Sequence, residues 1–285
     1  MRRLLLATVS IFAVAACGVD QPTLVIDSKN ICGQKQGITT DQQAGTGMAE
    51  KTLSLTFDDG PSEVTSEISA YLKNEGIKAT FFINGVHVEG REDVVEQQVA
   101  DGHLLGNHTH THQALTSLAA TDIVEEVAQT DKLLTALVPE GKLYFRAPFG
   151  DWNGNVHKAL AGSPMGKYKG PVGWDVGDQL TATTAADWDC WDEQNGTRTV
   201  QECGDLYLKE IRTKTKGIVL LHDGPPGTNG DKTAEMLRYI VPLLKKDGYK
   251  FARIDDVSLA NGDTPIGNEA NDKGKTNGPP VDPCR

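Results

Sequence analysis

No Cys-x-x-Cys pair occurs in this sequence, so zinc sites built on paired thiolates do not organise it. A phosphate-binding loop is also missing: "GPPGTNGDKT" is Gly-rich, but Asp231 interrupts the Gly-x-x-x-x-Gly-Lys-[Ser/Thr] spacing. "DWDCWD" alternates acids, yet Trp191 takes a ligand position and no Gly follows it, which removes a calcium loop of the EF-hand type. No internal repeat divides the chain. Positive charge is scarce, with 28 Lys and Arg against 39 Asp and Glu and a net charge of -11. That balance argues against nucleic acid and against adsorption to anionic lipid headgroups.

Long apolar runs are lacking too, apart from the start. In "MRRLLLATVSIFAVAACG", Arg2 and Arg3 precede a mostly apolar stretch, Leu4 to Ala16, that is too short to span a bilayer comfortably. Residues 1–16 read as a signal peptide. Val14-Ala15-Ala16-Cys17 resembles the bacterial lipobox, in which the cysteine is lipidated and becomes the new N-terminus. This predicts an extracytoplasmic, membrane-anchored lipoprotein, tethered at Cys17 in the periplasm or at the cell surface. Loss of residues 1–16 removes two arginines and no acid, moving the charge to -13. Four cysteines remain, and an even number in an exported chain suggests disulfides. The expected pairs are Cys190 with Cys203, closing a polar insertion, and Cys32 with Cys284, clasping the ends.

Residues 17–50 are polar and without period, and read as a tether. From Lys51 apolar runs ("TLSLTF", "KATFFIN", "HLLGN", "KLYFRAP", "PVGWDV", "GIVLLHD", "YKFARI") alternate with helical patterns such as Val64, Ile68, Tyr71 and Leu72. Strand and helix repeated in this way predict an α/β fold with a parallel sheet, closed as a barrel or open and doubly wound. Polar residues at the ends of several strands favour the barrel. The catalytic domain is expected over 51–260, with a loop or subdomain inserted at 180–204 and a polar tail over 261–285.

What is abundant is histidine in one place. "GNHTHTH" carries three of the seven histidines, and the i, i+4 spacing of His108 and His112 would put both imidazoles on one face of a helical turn, with His110 projecting elsewhere. Two histidines make an incomplete site, and a carboxylate is the usual third ligand of a catalytic zinc. Asp58 or Asp59, adjacent acids at the end of "TLSLTF", could supply it. Neighbouring side chains on a strand face opposite ways, so these two acids should differ in role.

"TFDDG", "HTHTH", "RAPFG" and "IVLLHDG", in that order, resemble the motifs of the polysaccharide deacetylases, the NodB homology domain or carbohydrate esterase family four. The resemblance spans about residues 51–258. It implies a distorted (β/α) barrel and removal of acetyl groups from N-acetylglucosamine units of peptidoglycan or chitin-like glycans. O-acetylated glycans are an alternative substrate, and a catalytically silent glycan-binding protein is the rival from another class. It also implies that Asp59, His108 and His112 hold a divalent metal, Zn2+ by default, with Co2+, Ni2+ or Mn2+ also compatible. Asp58 becomes the general base, Arg146 its cationic partner, His222 the general acid and the backbone N–H at Phe149 an oxyanion donor. The family's fourth motif, Asp, two residues, then Asp-Trp after a strand, is altered in "GWDVGDQL", where Gln179 stands in place of Trp. Asp175 and Asp178 are the candidates there for the aspartate that serves His222. Trp188 and Trp191 could line the cleft or pack the insertion.

Overall fold

Why the chemistry gathers at one rim follows from strand register. The computed structural model describes residues 37–137, 143–192, 198–225 and 228–261. Cys17, Cys32 and Cys284, with the expected lipid site and second disulfide, lie outside them. The main sheet has the order β5-β4-β3-β2-β7: β5 is Tyr144–Phe145, β4 Leu104–Asn107, β3 Thr80–Ile83, β2 Thr52–Asp58 and β7 Gly217–His222. β8, Lys250–Phe251, also pairs β2, and all of these pairings are parallel. β2 is buried at six consecutive positions, as expected of a strand covered on both faces. Phe57 and Phe81 stack across it at 4.8 Å.

Asp58 pairs in register with both Phe82 and His222, Ile83 with Asn107, and Asn107 with Phe145. The residues following these ends, Asp59, His108 and Arg146, therefore emerge at the same edge. No continuous ladder joins β5 to β7. The segment 169–176 spans the gap, through bridges Tyr144↔Lys169 and Val176↔Val219. The expected distorted barrel is thus a curved parallel sheet whose last gap is filled by irregular chain, an α/β architecture in which helices cover the outside.

Those helices are α1 (Thr65–Asn74), α2 (Glu92–Ala100), α3 (Ala120–Leu137), α4 (Gly154–Ala161), α5 (Asp187–Cys190), α6 (Val200–Lys214) and α7 (Gly230–Lys246). The longer ones turn an apolar stripe inward, as with Ile68 and Leu72 of α1 and Leu237, Ile240 and Leu244 of α7, all fully buried. Fully burying one such side chain stabilises by about 1.5–3 kcal/mol. Among the described residues no helix is long and apolar enough to cross a membrane.

Two sequence expectations need correcting. Residues 38–44 are not tether: β1, Ile38–Ala44, pairs in parallel with β6, Gly170–Val172, and antiparallel with β9, Ala260–Asn261, so the second sheet also takes in the first residue assigned to the tail. The alternating apolar and polar signal of β1 is weak ("ITTDQQA"), and its partner strands supply what its sequence does not. Nor do the described residues of 180–204 form a unit of their own. Ala185, Cys190, Trp191 and Cys203 are buried in the main core, and Cys190 and Cys203 form the expected disulfide with Cα atoms 6.1 Å apart. Closing a loop of thirteen residues contributes ~3 kcal/mol by loop entropy.

Candidate active site

The ends of β2, β4 and β7 surround a cavity of about 610 Å³, lined among others by Asp58, Asp59, His108, His112, Phe149, Asp187, Trp188 and His222. Two walls face each other across it.

The first wall holds the donor set. Asp59 Oδ1 lies 3.4 Å from His108 Nε2 and 3.1 Å from His112 Nε2. Donors placed tetrahedrally at ~2.1 Å from one ion stand ~3.4 Å apart, so this spacing suits a small divalent cation. Two further observations agree. Asp59 Oδ1 is buried without a hydrogen-bond partner. His108 Nδ1 is bonded to the Arg146 carbonyl at 2.9 Å, which makes Nδ1 the N–H and leaves the Nε2 lone pair facing inward. His110 stays outside this set, as expected.

The helical turn expected for "HTHTH" does not form. The segment is a loop in which Thr109 and His112 have positive φ (67° and 57°). Asn84 Nδ2 donates to the His108 carbonyl at 2.6 Å, and the Glu126 carboxylate accepts the N–H groups of His110 and Thr111 and the Thr111 hydroxyl. A loop fixed at this many points brings the imidazoles together as well as a helix would. Asp59 is likewise off the strand, at φ 71°, with its side chain on the same side as that of Asp58 rather than the opposite one. His108 Nε2 is 3.6 Å from Asp58 Oδ2 and 3.4 Å from Asp59 Oδ1. Of the six non-glycine residues with positive φ among those described, Asp59, Thr109, His112 and Phe149 all sit at this rim, a local concentration of backbone strain. Gly60 allows the turn: a Cβ there would lie 2.3 Å from Asp223 Oδ2.

Charge on this wall is tightly balanced. Burial works against ionisation of Asp59, but the surrounding imidazoles of His108, His222 and His112 win, holding its carboxyl below the usual range. His112 is pushed down to about 4, first by burial and then by its neighbour His108, which keeps it in the neutral form a ligand needs. Asp58 meets Arg146, as expected: Nη1 to Oδ1 is 2.7 Å, and Arg146 is fully buried. The guanidinium is fixed by Thr56 Oγ1, the carbonyls of Val172 and Gly173, and the Phe82 ring 4.2 Å away.

The second wall holds His222, and here neither Asp175 nor Asp178 is its partner. Asp175 accepts the N–H groups of Gly45 and Ile218, while Asp178 accepts Trp174 Nε1–H. Asp187 serves instead. Its Oδ1 lies 2.7 Å from His222 Nδ1, and its Oδ2 accepts the His222 backbone N–H at 2.8 Å and the Thr233 hydroxyl at 3.0 Å. Burial alone would lower the imidazolium's pKa, but the Asp187 charge and hydrogen bond, with Asp59 and Asp58 beyond, raise it to about 9. The sequence did contain a signal, the Asp187-Trp188 dipeptide, which supplies the Asp-Trp end of the fourth motif inside the insertion.

Phe149, at φ 59° in the 3-10 turn Pro148–Gly150, packs its ring on His112 with centroids 4.5 Å apart. The two tryptophans differ in burial although both line the cavity: Trp188 is 53% exposed, whereas Trp191 is 4% exposed and packs into the core.

Cation donors on one wall and a proton-bearing histidine on the other define a site able to hydrolyse an acyl bond. The polysaccharide deacetylase family model matches residues 45–165. A chitooligosaccharide deacetylase of Rhizobium leguminosarum bv. trifolii is 31% identical over 213 residues, 71% of this chain and 90% of that protein. Among solved structures, a peptidoglycan N-acetylglucosamine deacetylase is 25% identical with a TM-score of 0.60, covering 75% of this chain and 90% of its own. The Xyl-CE4 domain of a multidomain xylanase from the hindgut metagenome of Trinervitermes trinervoides is 27% identical with a TM-score of 0.57, covering 73% and 89%. The chain belongs to the polysaccharide deacetylase family, and it is an enzyme of that class.

Proposed function

We propose that this protein removes acetyl groups from N-acetylglucosamine units of a chitin-like or peptidoglycan glycan, with a divalent metal, Zn2+ by default, held by Asp59, His108 and His112. The observation that carries this reading is the convergence of that donor set, the Asp58–Arg146 pair and the His222–Asp187 pair on one cavity. The names of the relatives, which act on chitooligosaccharide and on peptidoglycan N-acetylglucosamine, support the substrate class.

When bound, a divalent cation supplies Lewis acidity, polarising the acetyl carbonyl and acidifying a water. Asp58, oriented by Arg146, takes the proton of the attacking water on Oδ2, the oxygen left over from the guanidinium contact. The Phe149 backbone N–H stabilises the oxyanion. His222, whose Nδ1 is committed to Asp187, gives the proton of Nε2 to the departing amine nitrogen. Acid and base thus come from facing walls, and each has its own buried counter-charge.

Acetate release from chitooligosaccharides, peptidoglycan and acetylxylan, with and without a chelator, tests the proposal. Chelator-sensitive release from an N-acetylated glycan is expected. Release from acetylxylan alone would turn the reading to O-esters, and release from none would end it. We also place the activity outside the cytoplasm, anchored through Cys17. Support comes from the Cys190–Cys203 disulfide, a bond that persists in oxidising compartments. Cys17→Ala protein that still partitions into detergent would contradict the anchor.

A further inference from the structure

We propose that the Cys190–Cys203 disulfide and Tyr207 are positioning groups for His222, acting by holding the short segment from which Asp187 grips the imidazole. The inference rests on the general-acid role proposed above for His222.

The segment needs outside support. α5 has only four residues, and Asp187 is its first; a helix of one turn has no stability of its own. Three contacts tie residues 185–190 to α6. Glu210 Oε2 accepts the Ala185 N–H at 2.9 Å, the Tyr207 hydroxyl accepts the Asp187 N–H at 3.0 Å, and Cys203 is bonded to Cys190. Cys203, Tyr207 and Glu210 are spaced four and three apart, so one face of α6 supplies all three. Tyr207 does more than hold α5. Its hydroxyl donates to the Leu220 carbonyl at 3.0 Å, two residues before His222 on β7. One buried phenol therefore links the strand that carries the imidazole to the turn that carries its carboxylate, and fixes their separation. Cys190, Cys203 and Tyr207 are fully buried and do not line the cavity, so they reach the reaction only through the pair they align.

Leaving-group dependence separates this role from a merely structural one. An amide nitrogen needs a proton to depart, whereas 4-nitrophenolate leaves without one. The full chain loaded with metal is compared with Cys190→Ala/Cys203→Ala and with Tyr207→Phe on an N-acetylated chitooligosaccharide and on 4-nitrophenyl acetate. Acetate release from the glycan should fall about tenfold or more in kcat, with KM and ester hydrolysis each within about twofold of wild type. Metal affinity, read by chelator competition, should not change. An equal fall in both reactions, or wild-type rates in both variants, overturns the inference. If the cysteine variant does not fold, Tyr207→Phe alone decides. Failure of the deacetylase reading itself looks different: the wild type would then release no acetate from the glycan.

Discussion

On one wall of the cavity, Asp59 and His108 each follow directly on a strand end, and His112 follows a loop hydrogen-bonded to α3 and to residues 84–86. On the other wall His222 ends β7, but Asp187 opens the one-turn helix α5 in the chain between β6 and α6, held by side-chain contacts and a disulfide. The first wall is fixed by ladder register, which cannot shift by one residue without turning whole strands over. The second is fixed by packing of an appended segment. Electrostatics divides the same way, with the first wall gathering a donor set that could hold a cation and the second using one carboxylate to raise the pKa of a histidine.

The sharpest way to break this comparison is to exchange charge for amide on adjacent residues. Asp59→Asn should lose metal affinity beyond the ~10–100-fold that follows loss of an outer-shell partner, with acetate release falling to background. Asp58→Asn, one residue away, should keep the metal and lose ~10²–10⁴-fold in kcat, the usual contribution of a general base. Metal titration by calorimetry, run beside acetate release, distinguishes them. Variants that both bind metal and turn over normally would dissolve the division of labour on the first wall.

The second wall is tested by pH. His222 is raised to about 9, above its ordinary 6.5, so as general acid it stays protonated across the neutral range, and kcat/KM for an N-acetylated glycan should fall as pH rises through about 9. Asp187→Asn removes the largest favourable cause of the shift and should move that limb downward, toward the ordinary value. Stability has the same sign. A histidine whose pKa is raised on folding contributes stability fully below about 6.5, and the contribution is lost as pH rises through about 9. A high-pH limb unmoved by Asp187→Asn would show that another group sets it.

The same contrast explains what could be read in the sequence. "TFDDG", "HTHTH", "RAPFG" and "LLHDG" abut strands with clear apolar runs, so Asp58, Asp59, His108, His112, Arg146 and His222 were legible as a set; five of them line one cavity and Arg146 joins through Asp58. Local geometry was read less well, because positive φ at Asp59, Thr109 and His112 replaces the strand alternation and helical turn that spacing suggests. Asp187 was not legible. β6 ends at Val172, and the chain from there to α5 has no period to say how far it reaches or where it returns, so the nearer Asp175 and Asp178 looked equivalent. β1 escaped for a related reason, since a polar strand is recognisable only by its partners.

Trp188 and Trp191 give the mildest test and the finest one, because they sit three residues apart at the same short helix and both reach the cavity, one exposed and the other buried. Trp188 presents its ring to the cavity, where a sugar face can pack on it. Trp191 is buried against the main core, with Lys232 Nζ 5.6 Å from its ring. Trp188→Ala should leave the melting temperature unchanged and raise KM for a glycan by a few-fold, matching the ~0.5–1.5 kcal/mol of an aromatic contact. Trp191→Ala should cost about 3–5 kcal/mol of stability, as large-to-small changes in a core do, and should disturb the reaction by loosening α5 and by removing part of the cavity wall. Thermal unfolding and steady-state kinetics on both variants separate the outcomes. If Trp188→Ala instead lowered the melting temperature and left KM alone, its ring would belong to the fold, and the cavity's apolar wall would have to be sought at Phe149 and Trp174.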